Sequence, residues 1–493
     1  MSPARHAGAM PCGKCQLASV HMVFCGHGRA GIPPAARQRA SVRRASLMRP
    51  PFRRASLTGS RAAPSLRRNF SSSLVGNASY ALCQFGMLCA MTRLSTPAQV
   101  GGYALAFAIA GPVFVLVGMK LRQIQATDAV GDFPFGTYLG LRIAATAVAA
   151  AALLGAVAAG LAPTGTGPLL AAVVALKTVE GVLDAFHGAL QRHERNGLIA
   201  RSMLVRGVAG LVVFVAALSA TGRPEAGVAA VAVVAAARMV ADVRRVAELG
   251  ITVRPRLHRP ALWRLLRIAA PLGVATLMSS LAVNVPRYFL QATGSAAALG
   301  VFAALAYLLV AGGTVVASLG EVISPRLANY HAQGRAGDFR RLLRRAVWCA
   351  GGLGAVGVAA AATAGEPFLR MLYGPPYAGH GQVLVVLMAA AAVGYVGVFF
   401  GTALLGARRY GAQLPVNIVT VTVIAGVCAW VVPTMGALGA AVAVLVGHAA
   451  QTAQYAVLYL LMRPVLPATG DAAAPTLTAT ALPAPATGAR SRR

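Results

Sequence analysis

The stretch Ala175-Leu-Lys-Thr-Val-Glu-Gly-Val-Leu-Asp-Ala-Phe-His187 (ALKTVEGVLDAFH) lies inside a long apolar run. At about 100° per residue, Lys177, Glu180, Asp184 and His187 fall within roughly 80° of one another on a helical wheel. They form a single polar stripe on an otherwise apolar rod. A charge near the centre of a bilayer costs about 2.5–3.5 kcal/mol on insertion scales, so such residues face a bundle interior or a water-filled cavity. The stripe therefore predicts a membrane helix packed among others, with something polar beside it.

Composition agrees. The 493-residue chain is 57% hydrophobic and 12% charged, with a mean hydropathy of +0.66. A soluble domain carries about 25% charged residues. The expected fold class is all-α: a polytopic membrane protein of about twelve transmembrane helices in two six-helix bundles. The net charge of +33 would point to nucleic acid in a soluble chain. Here most of the arginine lies in an N-terminal extension and in alternate loops, and the basic extension has few aromatics to stack on bases, so no nucleic-acid partner is expected. Cys83, Cys89, Cys349 and Cys428 lie in apolar runs and read as small hydrophobes, not as a disulfide framework.

Apolar runs near the ~20 residues needed to cross a bilayer fall at about 74–92, 101–119, 138–161, 167–190, 197–219, 226–243, 266–290, 298–322, 346–364, 382–404, 412–432 and 437–461. The first and fifth carry the most polar residues. Loop charge alternates accordingly. One set of connections holds Lys120, Arg122, Arg192, Arg195, Arg244, Arg245, Arg254, Arg256, Arg259, Arg326, Arg335, Arg340, Arg341, Arg344, Arg345, Arg408 and Arg409, and the other only Arg93, Arg223 and Arg370. The positive-inside rule puts the first set, and both termini, in the cytoplasm.

The chain then divides into a basic, acid-free and disordered extension (1–72), a first six-helix bundle (73–243), a cytoplasmic connection (244–265), a second bundle (266–462) and a disordered tail (463–493). The extension contains Arg43-Arg-Ala-Ser-Leu47 and Arg53-Arg-Ala-Ser-Leu57, which look like basophilic kinase sites. It also contains Cys12-Gly-Lys-Cys15 with His21, Cys25 and His27, a spacing that matches no standard zinc finger. No metal or cofactor is expected. A weak repeat relates the halves: Gly101-Gly-Tyr-Ala-Leu-Ala-Phe107 opens the second span and Gly300-Val-Phe-Ala-Ala-Leu-Ala306 the eighth. Parallel halves of this kind are a standard transporter plan.

Several segments resemble a known family. They are Asn77-Ala-Ser-Tyr80, Leu94-Ser-Thr-Pro-Ala-Gln-Val-Gly-Gly-Tyr-Ala-Leu105 and Ala270-Pro-Leu-Gly273. Further on come Pro325-Arg-Leu-Ala-Asn-Tyr330 with Gly334 and Phe339-Arg-Arg-Leu-Leu343, then Gly365-Glu-Pro-Phe-Leu-Arg-Met-Leu-Tyr-Gly374 with Tyr377-Ala378. In order and spacing, over roughly 74–462, they are similar to the polysaccharide-transporter flippases of the multidrug/oligosaccharidyl-lipid/polysaccharide exporter superfamily. That resemblance implies a substrate of lipid-linked oligosaccharide on undecaprenyl pyrophosphate, moved during cell-surface polysaccharide or lipopolysaccharide biosynthesis. Membrane lipids, and the glycosyltransferases and polymerase of the same pathway, are the implied partners.

Phosphates call for arginine or lysine. Lys177 lies near mid-membrane in the fourth span, Arg206 at a similar depth in the antiparallel fifth, and Arg201 nearer the cytoplasm. Arg93 and Arg287 sit at the outer ends of the first and seventh spans, where snorkelling to the interface is an equal explanation. These five are the candidate substrate-binding cations. Glu180 and Asp184 lie near the depths of Arg206 and Arg201, and either balance those charges or couple to an ion. Asp242 lies four residues from Arg238, as an intrahelical pair would, and His187 reads as a polar cap near a helix end.

No Gly-x-x-x-x-Gly-Lys-Ser/Thr loop and no metalloprotease motif is present, and no catalytic residues are expected. A drug/cation antiporter is the alternative transporter. A membrane glycosyltransferase or polymerase needs a large outside loop rich in acids and histidine, and Glu366 with His380 make a thin constellation. Abundant arginine, alanine and glycine beside scarce lysine point to a GC-rich bacterial genome and a bacterial cytoplasmic membrane.

Overall fold

The computed structural model describes residues 66–128, 131–293, 295–407 and 409–462. The kinase-like and Cys/His motifs, Arg408 and the tail 463–493 lie outside these residues. The described residues are all-helical in their regular structure. The long helices are α1 Leu66–Leu94, α2 Pro97–Gly118, α3 Phe135–Ala158, α4 Gly167–Arg192, α5 Asn196–Thr221, α6 Pro224–Glu248, α7 Arg259–Ala292, α8 Ala296–Ala332, α9 Ala336–Tyr373, α10 Gly381–Gly406 and α11 Gln413–Met462. Among the described residues, nine helices are long and apolar enough to cross a membrane, and their lipid-side faces carry exposed Val148, Val233, Val356 and Trp430. The protein is a multi-pass membrane protein.

Local signals explain several boundaries. Thr96 caps α2 through a capping box with Gln99, and Pro97 occupies the first turn, where no amide hydrogen is needed. Ser295 accepts from the Ala298 amide at the start of α8. Gly436, at φ 53°, turns α11 back on itself. Its two arms then run antiparallel, with Gln451 against Asn417 and Gly447 against Ile424. Other helices outrun the apolar runs that announced them. α1 starts at Leu66, inside the segment expected to be disordered, and α9 extends over 336–373 where 346–364 was expected. Intrahelical hydrogen bonds satisfy the backbone whether a residue sits in lipid or in the headgroup layer, so helices continue past the hydrocarbon boundary.

In the first bundle α1 packs on α5, α5 on α6, α6 on α4, and α4 on α3 and α2. In the second, α9 packs on α10, α10 on α11, and α7 and α8 lie against them. Each half has its own apolar core, one built on Leu88, Val173 and Phe214 and the other on Leu305, Leu387 and Ile424.

The halves meet chiefly through α2 and α8. Here the repeated motifs touch each other. A Cβ on Gly101 would run into the carbonyl group of Ala296 and lie 3.2 Å from the Gly300 nitrogen. A Cβ on Gly300 would run into the Pro97 carbonyl oxygen and lie 2.9 Å from the Gly101 nitrogen. Each glycine therefore faces the residue four positions before the other, a reciprocal contact about a local two-fold axis. Beside it, Phe85 of α1 stacks on Tyr307 of α8 with ring centroids 5.7 Å apart. This arginine-poor end is sealed. At the arginine-rich end the halves join on one side, where Met119, Leu121 and Tyr138 pack against Leu265 and Ala269 of α7. The two-fold counterpart of the α2–α7 contact, between α8 and α1, is slight.

Candidate functional site

The α4 stripe faces inward and is built as a ladder of ion pairs. At its upper rung, Glu180 Oε2 accepts from Lys177 Nζ at 3.0 Å, and Glu180 Oε1 accepts from the Tyr80 hydroxyl at 2.7 Å. Arg206 Nη1 lies 3.5 Å from the same oxygen, and its guanidinium stacks 4.4 Å above the Tyr80 ring. Lys177 Nζ stands 5.3 Å from the centre of the Phe107 ring. Three elements thus converge on one carboxylate, α4 itself, α1 and α5, while α2 supplies the ring beside Lys177. Low dielectric strengthens each contact, and a carboxylate buried without them would be costly.

The middle rung departs from expectation. Asp184 pairs with Arg142 of α3 at 2.5 Å and with Arg122 at 3.4 Å, and not with Arg201. Arg142 is 7% exposed. It also donates to the Gly181 carbonyl at 2.6 Å and to the Gly118 carbonyl at the end of α2 at 2.8 Å. Its planar fork ties three helices together. Arg201 is exposed on the far side of α5. At 100° per residue, Arg201 and Arg206 lie about 140° apart on their helix, so only one of them can face α4.

The lowest rung holds Asp242 of α6, which is fully buried. It accepts from Ser202 and sits 3.0 Å from Arg238, 3.5 Å from Arg245 and 3.3 Å from His187 Nε2. The expected Arg238 pair is present. His187 is not a cap on the helix end but a buried partner of Asp242. Next to the rung, Arg192 lies 3.8 Å from Asp128 in the connection after the short helix Leu121–Thr127. Partial burial pushes the Asp128 carboxyl up, but the amides of Asp132, Gly131 and Phe133 outweigh it and hold the group below its usual range.

Two adjoining cavities, of about 280 and 340 Å³, share Tyr80, Gln84, Lys177, Glu180 and Arg206. The upper one reaches across to the second half, where Arg287, Ala303 and Tyr307 complete its wall. Arg287 is not snorkelling. Its Nη1 donates to Asn284 at 2.7 Å, its Nε is buried without a partner, and it forms no ion pair among the described residues. Pro286, just before it, lacks an amide hydrogen and leaves a carbonyl one turn back unpaired. Three cations and one carboxylate line this upper cavity, a balance of 3 − 1 = +2.

Arg93 belongs elsewhere. It is exposed, and it donates to the Leu372 carbonyl at 3.2 Å and to the Met371 carbonyl at the end of α9. A cation on the last carbonyls of a helix caps its negative end. Arg93 therefore clasps the sealed end across the two halves and does not face the cavity.

The structure brings Lys177, Glu180, Arg206 and Arg287 around one space and leaves Arg93 and Arg201 out of it. Sequence reasoning missed Tyr80 as a site residue, Arg142 as the partner of Asp184, and Asn284. Arg142 carried a usable signal: an arginine seven residues into an apolar helix needs a buried acid.

The model of the family described as polysaccharide biosynthesis protein matches residues 66–331, more than half of the chain. The chain belongs to this family. It is 24% identical over 398 residues to the capsular polysaccharide biosynthesis protein CapF of Staphylococcus aureus, covering 80% of this chain and 98% of that protein. Among solved structures it is similar to an inward-facing multidrug transporter of the MATE family in the MOP superfamily. The TM-score is 0.63 at 12% identity, over 80% of this chain and 98% of that one. It is also similar to the lipid II flippase MurJ in an inward closed conformation, with a TM-score of 0.61 at 8% identity, over 78% and 87% of the two chains. These similarities give the family member a MOP-type fold.

Proposed function

We propose that this protein flips a lipid-linked oligosaccharide, carried on undecaprenyl pyrophosphate, across the bacterial cytoplasmic membrane. The observation that carries the proposal is the +2 cavity with Arg287 in its wall, which has no carboxylate partner among the described residues. A pyrophosphate diester bears two negative charges. Lys177 and Arg287 approach it from opposite halves, while Glu180 keeps the empty cavity from becoming an unbalanced cluster of cations. Family membership and the similarity to CapF and to the lipid II flippase MurJ support the same substrate class. A drug/cation antiporter fits less well, because a positive wall repels cations.

The arginine-rich end is assigned to the cytoplasm, with both termini there. Adding α1, α4 and the second arm of α11 to the nine apolar helices gives twelve crossings. The arrangement is then closed outside and accessible from inside. The glycan head enters the space between the bundles and the polyprenyl tail stays in lipid along the weakly joined α1–α8 side. Parting the α2–α8 contact releases the head outside. No bond is made or broken, so the protein works as a transporter between the glycosyltransferases that build the substrate and the polymerase that extends it.

The test is translocation of undecaprenyl-pyrophosphoryl-N-acetylglucosamine in proteoliposomes. A charge-assisted hydrogen bond contributes about 1.5–3 kcal/mol, so Lys177→Ala and Arg287→Ala should each slow translocation about tenfold to a hundredfold, with Arg287→Lys milder. Wild-type rates for both alanine variants, at wild-type protein level, would refute the reading.

A further inference from the structure

A third cavity, of about 240 Å³, lies inside the second half on the other side of Arg287. Its wall contains no Asp, Glu or Lys. Apart from Arg287, its polar groups are neutral and come from α7 and both arms of α11. Their hydrogen bonds run in one direction. Ser279 donates to the Ala275 carbonyl at 3.3 Å, so its oxygen is free to accept from Asn417 Nδ2 at 3.0 Å. Asn417 Oδ1 in turn accepts from Gln451 Nε2 at 3.2 Å. That chain fixes both amides and leaves a spare N–H on each, with Gln451 Oε1 open as an acceptor. His448 Nδ1 lies 2.9 Å from the Ala390 carbonyl. A carbonyl only accepts, so Nδ1 carries the hydrogen and Nε2 of the neutral ring is an acceptor. Gly394 permits this approach, because a Cβ there would lie 2.6 Å from His448 Nδ1.

Asn417 is buried and Gln451 and His448 are half-buried, and the free donors and acceptors they turn to this cavity suit a ligand that both donates and accepts. The wall argues against three ligand classes. A lipid tail needs no donors, a metal or organic cation needs a carboxylate, and a free anion needs more positive charge than Arg287 alone. Hydroxyl groups of a sugar both donate and accept, as this wall does. The volume is below the roughly 300 Å³ of a pocket for a drug-sized ligand, which suits one pyranose ring and not a whole oligosaccharide.

We infer that this cavity is a sugar site: it holds the hexose nearest the pyrophosphate through Asn417, Gln451 and His448, with Arg287 bridging the ring and the phosphate. The inference rests on the proposed flippase function, and it divides the work between the halves. The first half reads charge, and the second reads hydroxyl groups. Substrate preference among sugars then resides in the two arms of α11.

The experiment compares binding of undecaprenyl pyrophosphate with binding of the same lipid carrying N-acetylglucosamine, glucose or galactose, using purified full-length protein in detergent. Wild type should bind at least one sugar-bearing lipid about tenfold more tightly than the bare pyrophosphate. Gln451→Leu and Asn417→Leu should erase that increment and leave bare-pyrophosphate binding unchanged, which also shows that each variant is folded. An increment that survives both substitutions overturns the sugar site, as does wild-type protein that binds every probe equally. Wild-type protein that binds none of the four lipids overturns the flippase function itself.

Discussion

Gly300→Ala tests the gate. The added Cβ would lie 2.9 Å from the Gly101 nitrogen and closer still to the Pro97 carbonyl oxygen. Non-bonded carbon contacts settle near 3.5 Å, so α2 and α8 must part by at least about 0.6 Å at their crossing. Both obstructing atoms are backbone and cannot rotate away. Overpacking of this kind costs about 1–3 kcal/mol. That cost falls on the state in which the arginine-poor end is shut and not on a state in which the helices have separated. The equilibrium between them should shift about 5- to 150-fold toward opening at that end. The assay is labelling of a single cysteine, Ala303→Cys, in the cavity wall by a membrane-impermeant maleimide added from either side. Labelling from the arginine-poor side should rise in Gly300→Ala and in Gly101→Ala. Gly102→Ala is the control, since a Cβ there meets nothing nearer than a Leu169 methyl at 4.0 Å. If labelling rises equally in the control, or stays unchanged in the two gate variants, the crossing is not the gate.

Two further outcomes are expected. Arg142→Ala strips Asp184 of its 2.5 Å partner, leaving Arg122 at 3.4 Å, and frees two backbone carbonyls, a loss of about 1–3 kcal/mol. The thermal midpoint of the detergent-solubilised protein should fall clearly, and Arg142→Lys should recover only part of it because the fork is lost; an unchanged midpoint in Arg142→Ala would contradict the ladder. For orientation, a reporter active only outside the cell should work when fused after residue 164 or 295 and be silent after 252 or 335, and the reverse pattern would invert the assignment of both ends.

Charge made the first half legible, and its absence hid the second. Membrane helices announce themselves through apolar length, and a lone Lys177 or Glu180 in such a helix can face only its neighbours. Pairing is a different matter. Asp184 was matched to Arg201 by depth, but depth says nothing about helix rotation, and its partner came from α3. Arg93 and Arg287 occupied equivalent places in the sequence of each half. Only the structure separates them, because the carbonyls that hold Arg93 belong to the distant end of α9. Asn417, Gln451 and His448 gave no sequence signal. Each is neutral, and the first two meet across 34 residues through a turn at Gly436.

The Gly101–Gly300 contact has an ancestral reading. A surface that binds a rotated copy of itself is what joins the subunits of a two-fold homodimer. A half-length chain carrying the Pro-x-x-x-Gly segment alone would already own both faces of the gate, and two such chains would close on each other without any new interface. Fusion of two such copies would free each to diverge away from the axis, one toward ionised groups and the other toward amides. The crossing itself would have no such freedom, since a side chain on either partner obstructs the backbone of the other.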